Sequence, residues 1–332
     1  MNKKTRNKIL GTSALFLAAI VWGFAFIGQV SASKSVEPFT FNFSRSLIGA
    51  LIILPFAAIV YRKERKEDRV PKENWQTLLI HAGITGFVFF LGANLQQYGA
   101  QITSSAGVSG FITGFYIVLT PIFYFLIFRR GLSKWNVIAA LFAFFGLVLI
   151  SLHSGDAFKV GKGEIFLFIG SIFWAFHVLS IDYFGKSHHV LFFAGVQYLF
   201  SAFYAGICML LFEHPSWQGI LDAKYGILYC GIFSTAIGFT LQMYGQKYTN
   251  PTAAVTILSI ETIVSALGGV IFGIDHLSWV AYLGMGIILV GILLTQLHEV
   301  IFKKKPKPAP DDASLKETSD MVQTDENKTD SE

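Results

Sequence analysis

Charge is what this chain has least of. Asp, Glu, Lys and Arg supply 14% of its 332 residues, against about 25% in a soluble domain. That is too little to cover a surface facing water. Cysteine is scarce too. Cys208 and Cys230 each lie within an apolar run and read as small buried hydrophobes, which excludes a disulfide scaffold. No nucleotide-binding motif occurs, so the chain does not hydrolyse ATP, and no cofactor is expected. His81 and His177 lack a second ligand at metal spacing, so no metal site is expected either. The apolar runs hold no paired acids and no activated nucleophile, which argues against a membrane-embedded enzyme.

What is abundant is apolar length. Hydrophobic residues make up 53% of the chain, and Phe occurs 33 times. A bilayer core takes about 20 apolar residues per helix. Ten segments approach that: 9–29, 38–61, 76–97, 104–128, 135–152, 162–184, 190–212, 225–245, 252–273 and 277–300. The third is interrupted by His81, Asn94, Gln96 and Gln97. The first, preceded by Lys3, Lys4, Arg6 and Lys8, has some features of a cleaved signal, but its apolar run is long for one and it has a counterpart later in the chain.

The net charge of +5 does not indicate nucleic acid, because most basic residues flank the apolar runs. They cluster on one side: residues 3–8, 62–72, 129–134, Lys186, Lys247 and 303–307. The other side holds Lys34, Lys159, Lys162 and Lys224. By the positive-inside rule both termini are cytoplasmic. Residues 306–332 contain no aromatic and read as a disordered cytoplasmic tail.

The chain repeats itself. Leu95-Gln96-Gln97-Tyr98-Gly99 returns as Leu241-Gln242-Met243-Tyr244-Gly245, 146 positions on. Gly11 and Trp22 align with Gly163 and Trp174 at an offset of 152, which also sets Phe41 on Phe193 and Arg45 on Gln197. Gly146 aligns with Gly291 at 145. Four matches in one order define two halves, 9–152 and 162–300, of five helices each. Five is odd, so the second half enters from the opposite side. The expected fold is therefore all-α: ten transmembrane helices as two inverted-topology repeats. The repeated Tyr-Gly blocks then fall at helix junctions on opposite sides, as candidate gates.

These features resemble the drug/metabolite transporter superfamily, EamA type, over residues 9–300. The resemblance is carried by Trp22-Gly23-Phe24, Pro38 to Arg45, Ala106 to Pro121, Arg129-Arg130, Asn250-Pro251-Thr252-Ala253-Ala254 and Ser259-Ile260-Glu261. Where that family often has Pro after the glutamate, this chain has Thr262, which predicts a straighter ninth helix. The resemblance implies a secondary carrier in the cell membrane, exporting small organic metabolites, amino acids or related amphipathic compounds among them. A sugar-phosphate or nucleotide-sugar exchanger is the alternative. It would want a second basic residue, such as Lys247, beside Arg45.

Charge inside a membrane segment is a functional candidate by default. Arg45 could fork onto a carboxylate or phosphate, or snorkel to the interface. Glu261, near the middle of the ninth segment, could exchange a proton as access alternates, bind an amine, or pair with Arg45. Its counterpart is near Phe115 or Tyr116. Asn94, Gln97, Gln197, Gln242 and Tyr244 could line a wet cavity or tie helices together, and Trp22 and Trp174 could wall it. Gly107, Gly110 and Gly114 share one face of the fourth helix, and Gly268, Gly269 and Gly273 cluster in the ninth. Both sets are expected to pack these helices at the pseudo-two-fold interface. The partners implied are the lipid bilayer, a small-molecule substrate and protons. The oligomeric state stays open.

Overall fold

In lipid a backbone must bond its own N–H and C=O groups, and a helix does so within one segment. The computed structural model describes residues 3–129, 134–152, 161–275 and 278–301, and the regular structure among them is helical. In order these are α1 (Lys3–Ala32), α2 (Pro38–Lys66), α3 (Trp75–Thr103), α4 (Ala106–Thr113), α5 (Tyr116–Phe128), α6 (Lys134–Leu152) and α7 (Lys162–Phe184). Then come α8 (Val190–Phe212), the short α9 (Trp217–Asp222), α10 (Lys224–Leu228), a π-helical stretch (Tyr229–Gly238), α11 (Phe239–Gln246), α12 (Pro251–Leu258), α13 (Ile260–Ile271) and α14 (Trp279–Ile301).

Among the described residues eight helical stretches are long and apolar enough to cross a membrane. They match the expected segments one to four and six to nine. Segments five and ten correspond to α6 and α14. Large apolar side chains point outward, among them Phe56, Ile59, Leu210, Leu211 and Ile271, as lipid contact requires. Met1–Thr295 form one compact unit. Of the second, Gln296–Glu332, the last turn of α14 alone is described. The expected tail, Lys303–Lys307 and Arg130 lie outside the described residues. α1 packs on α11, α12 and α13, and its Leu15 and Ala18 are fully buried.

Three spans are broken helices. The fourth stops at Thr113 and restarts at Tyr116, bridged by shorter bonds such as Phe115 N–H to Ile112 O at 3.1 Å. The ninth stops at Leu258 and restarts at Ile260. Here Thr256 Oγ1 donates to Thr252 O at 2.9 Å and Ser259 Oγ to Thr256 O at 2.6 Å. Hydroxyls that bond back to the helix carbonyls bend it. The straighter ninth helix expected from Thr262 is therefore corrected: Ser259 and Thr256 do what Pro was expected to do. In the eighth, the π-helical stretch widens the turn, and Phe239 N–H reaches back five residues to Ser234 O.

Packing partners come in pairs. α3 lies on α7 as α1 lies on α11 and the π-helical stretch. α4 and α5 lie on α7 as α12 and α13 lie on α1. α2 with α8 is a contact between equivalent helices, and α4 on α13 is matched by α12 on α5. Exchanging the halves maps this set onto itself.

The repeated glycines fix the first pair. A Cβ on Gly99 would meet the Gly163 carbonyl oxygen at 2.8 Å, and one on Gly245 would meet that of Gly11 at 2.8 Å. The side chains of Leu167 and Leu15 close around these glycines in the same way. The Tyr-Gly blocks are thus seats where helix backbones touch. The glycines of the fourth and ninth helices divide. Gly110 faces Ser265, whose Oγ donates to Ala106 O at 2.7 Å, so α4 and α13 do meet there. Gly268 instead seats Ile27 of α1. Gly107 and Gly269 both lie against Asp275. Gly114 marks the α4–α5 break. A Cβ on Gly273 would meet nothing within 4 Å; its φ of +69° lets the chain turn out of α13, so its role is to end the helix rather than pack it.

Asp275 bridges the two middle spans. Its carboxylate accepts from Ser105 Oγ at 2.7 Å and from Gly107 N–H at 2.8 Å, at the N-terminus of α4. At the equivalent place the first half has Arg129-Arg130.

Gly99→Val and Gly245→Val should each cost about 1–3 kcal/mol through overpacking against an immovable carbonyl. Gly286→Ala, with open space around it, should be silent. Thermal unfolding in detergent reads the difference, and equal midpoints for all three variants would refute the seat.

Candidate functional site

Side chains that lipid would reject collect in one interior space. A cavity of about 460 Å³ lies among α1, α2, α3, α4, α5, α7, the π-helical stretch, α11 and α13. Four pairs of its lining residues are related by the sequence repeat: Trp22 with Trp174, Phe26 with Val178, Gln96 with Gln242, and Tyr116 with Glu261. The first two pairs share the offset of 152, the third has 146 and the fourth 145. The cavity therefore sits where equivalent positions of the two halves face each other.

Its walls are aromatic. The Phe239 ring lies 4.4 Å from Trp22 and 5.7 Å from Trp174, stacked on the latter. Trp22 Nε1 donates to Ser234 O at 3.2 Å. That carbonyl is presented by the π-helical stretch. Trp174 Nε1 has no partner among the described residues. Equivalent tryptophans thus have unequal hydrogen bonding.

Two charged side chains enter this apolar chamber. Arg45 is 2% exposed, so it does not snorkel. Its guanidinium lies 5.7 Å from the centre of the Phe41 ring and 5.6 Å from that of Phe89. Such distances support a cation–π attraction. Cys230 and Tyr198 are its polar neighbours. Among the described residues no carboxylate pairs with it, and its Nε has no acceptor. Glu261, 4% exposed, borders the same cavity with the Tyr116 hydroxyl beside its carboxylate. Arg45 and Glu261 therefore face one space without an ion pair between them. Each leaves hydrogen-bonding capacity that a ligand can use.

Five of the nine expected cavity residues line it: Arg45, Glu261, Trp22, Trp174 and Gln242. The other four are placed elsewhere. Asn94 accepts from Asn42 Nδ2 at 3.0 Å and donates to Phe90 O at 2.7 Å, tying α3 to α2. Gln97 donates to Gln29 O at 3.1 Å, tying α3 to α1. Gln197 contacts His177 Nε2 at 3.4 Å and Met243 Sδ at 3.8 Å. Tyr244 lies edge-on to Tyr248. Asn94, Gln97 and Gln197 serve helix-to-helix contacts, and the Tyr244 contact is local to the end of α11. Lys247 lies with Lys186 at a separate, smaller pocket lined also by Gln246. The condition that would favour a phosphate-bearing substrate is therefore not met.

Sequence reasoning missed Gln29, Gln96, Thr113, Tyr116, Ser234 and Phe239. Two of these were within reach. Gln96 is the counterpart of Gln242 in the repeated block, and Tyr116 is that of Glu261. The Gln29 side chain joins the wall by accepting from Gln96 Nε2 at 3.0 Å.

Comparison with known proteins agrees with this architecture. The EamA-like transporter family matches the chain twice, over residues 9–152 and 161–297. An uncharacterized transporter of Archaeoglobus fulgidus is 28% identical over 88% of this chain and 87% of its own length. The uncharacterized inner membrane transporter YedA of Escherichia coli K12 is 24% identical over 90% and 94%. The uncharacterized transporter YrdR of Bacillus subtilis is 22% identical over 89% and 94%. A solved crystal structure superimposes with a TM-score of 0.69 over 89% of this chain and 99% of its own, at 18% identity, which speaks for the fold alone. A family match over both halves, on a multi-pass helical fold with a charged interior cavity, makes this chain a membrane transporter that belongs to the EamA-like transporter family.

Proposed function

We propose that this protein is a secondary carrier for small zwitterionic or carboxylate-bearing amphipathic metabolites, amino acids among them, and that it exports them by alternating access. The carrying observation is the uncompensated Arg45 guanidinium across one cavity from Glu261, between aromatic walls. A carboxylate would fork onto Arg45. An ammonium group would meet Glu261 and the Tyr116 hydroxyl. An apolar body would lie against Trp22, Trp174 and Phe239.

Ten spans with both termini cytoplasmic, in two inverted halves over 9–152 and 162–300, complete the proposal. The basic residues that cluster on one side support the orientation, and the paired helix contacts support the symmetry. In such a scaffold the two halves exchange conformations, and the cavity changes sides. Glu261 is the proposed proton carrier. With no cation paired to it, it can exchange a proton with whichever side has access.

Metabolite profiling of medium from cells with and without the protein should show a zwitterionic or carboxylate-bearing compound that accumulates only with it. Accumulation of phosphorylated sugars instead would overturn the substrate class. For the compound so found, Arg45→Gln should lower flux in proteoliposomes at least ~30-fold, the loss of about 2 kcal/mol from a buried charged contact. Arg45→Lys should recover part of it. Glu261→Gln should keep counterflow but lose the dependence on an imposed pH gradient. An unchanged proton dependence would end the role given to Glu261.

A further inference from the structure

Each half of the molecule supplies a carboxylate to the other. Glu213, just past α8, accepts from Phe39 N–H, Thr40 N–H and Thr40 Oγ1, all at 2.7 Å. It caps the N-terminus of α2. Glu73, in the equivalent connection of the first half, accepts from His189 N–H at 2.8 Å and caps the N-terminus of α8. Both carboxylates are buried, at 5% and 9% exposure. α2 and α8 are equivalent helices in contact, so the two caps are a reciprocal pair at opposite ends of the bundle. Carboxylates are well suited to helix N-termini, where free N–H groups and the dipole meet them.

The pair differs in one respect. At the end that also carries Arg62, Lys63, Arg65 and Lys66, histidines join the cap. His188 Nδ1 lies 2.7 Å from Glu73 Oε1, and its Nε2 lies 2.9 Å from His81 Nδ1 on α3. His189 Nε2 lies 3.0 Å from Glu64 Oε2 on α2. Tyr61 of α2 accepts from Glu73 N–H at 2.7 Å. Lys247, just past α11, is within electrostatic reach of Glu64 and Glu73. Asp182 and Lys186 at the end of α7 pair with each other. At the other end the Glu213 cap uses amides and a hydroxyl. His214 contributes its backbone N–H, donated to Glu37 at 3.3 Å.

Proton counting sets the behaviour. In a bond between two imidazoles one nitrogen donates and the other accepts. His188 donates from Nδ1 to Glu73, so the His81–His188 bond survives with no extra proton or with one. A second proton leaves both facing nitrogens as donors, with two like charges at contact distance. The α3–α8 junction then opens.

We propose that this His81–His188–Glu73 chain is a proton-counting latch that holds the basic end of the bundle shut, and that acidification on that side releases it while the Glu213 end stays closed. The inference rests on the fold and not on the substrate or on Glu261.

Spin labels test it in the full-length protein in nanodiscs. One pair goes on exposed Gln76 and Ser187, the other on exposed Lys34 and Pro215 at the far end. A Cys208→Ser background suffices because Cys230 is fully buried. The Gln76–Ser187 distance should gain a longer component as the pH is lowered. The Lys34–Pro215 distance should hold. His81→Gln, whose amide can still bond His188, should stay closed from pH 8 to 5.5. Glu73→Gln should loosen the junction at every pH. A constant Gln76–Ser187 distance in the parent protein, an undiminished pH response in His81→Gln, or an equal response at the far end would each overturn the latch.

Discussion

Two places where helix backbones touch decide where everything else goes. Gly99 rests on Gly163, and Gly245 rests on Gly11. Lipid gives no hydrophobic drive for helices to associate, so close backbone approach and the van der Waals contact it allows must do that work. Once these points are set, helix periodicity does the rest. Trp22 and Trp174 stand 11 residues beyond Gly11 and Gly163, three turns on, and so on the same face. Gln96 and Gln242 stand three residues before Gly99 and Gly245. All four reach the cavity. The cavity is thus a consequence of two contacts that include no cavity-lining residue.

The cavity exists because the helices around it are imperfect. Continuous helices would pack to fill the centre. The breaks at Gly114 and Ser259 and the wide turn at Tyr229–Gly238 each fall within two turns of a lining residue: Tyr116, Glu261 and Ser234 respectively. In the ninth span and the π-helical stretch the irregular backbone finds internal partners. Ser and Thr hydroxyls take backbone carbonyls, and the Ser234 carbonyl serves both Phe239 N–H and Trp22 Nε1. That satisfaction is what allows irregular backbone at membrane depth.

Apolar length was plain in the sequence, since about 20 residues without charge admit few readings. The duplication was plain too, and the structure brings Trp22, Trp174 and Gln242 of that repeat to one cavity. Arg45 and Glu261 stood out because charge among apolar residues is conspicuous. What stayed hidden was direction. Gln96 and Gln97 are neighbours in sequence, yet one borders the cavity and the other bonds a backbone carbonyl of α1. A difference of 100° around a helix decides this, and composition does not record it. The π-helical stretch was invisible for a related reason: it depends on what packs against it. The glycine clusters misled in part because one residue type serves two ends. Gly268 admits a neighbour, whereas Gly273 permits a left-handed turn.

If the halves exchange conformations as proposed, Asp275 gives the fold a preferred resting state. An ideally duplicated carrier would be a balanced seesaw, with each arrangement of its halves equal in energy. Asp275 ties α13 to the start of α4, while the matching stretch of the first half is Arg129-Arg130. One hydrogen bond to a charged group contributes about 1.5–3 kcal/mol, enough to tilt a two-state ratio roughly 10- to 150-fold. The duplicated scaffold makes two states possible. Under that proposal a single unduplicated aspartate biases the ratio between them.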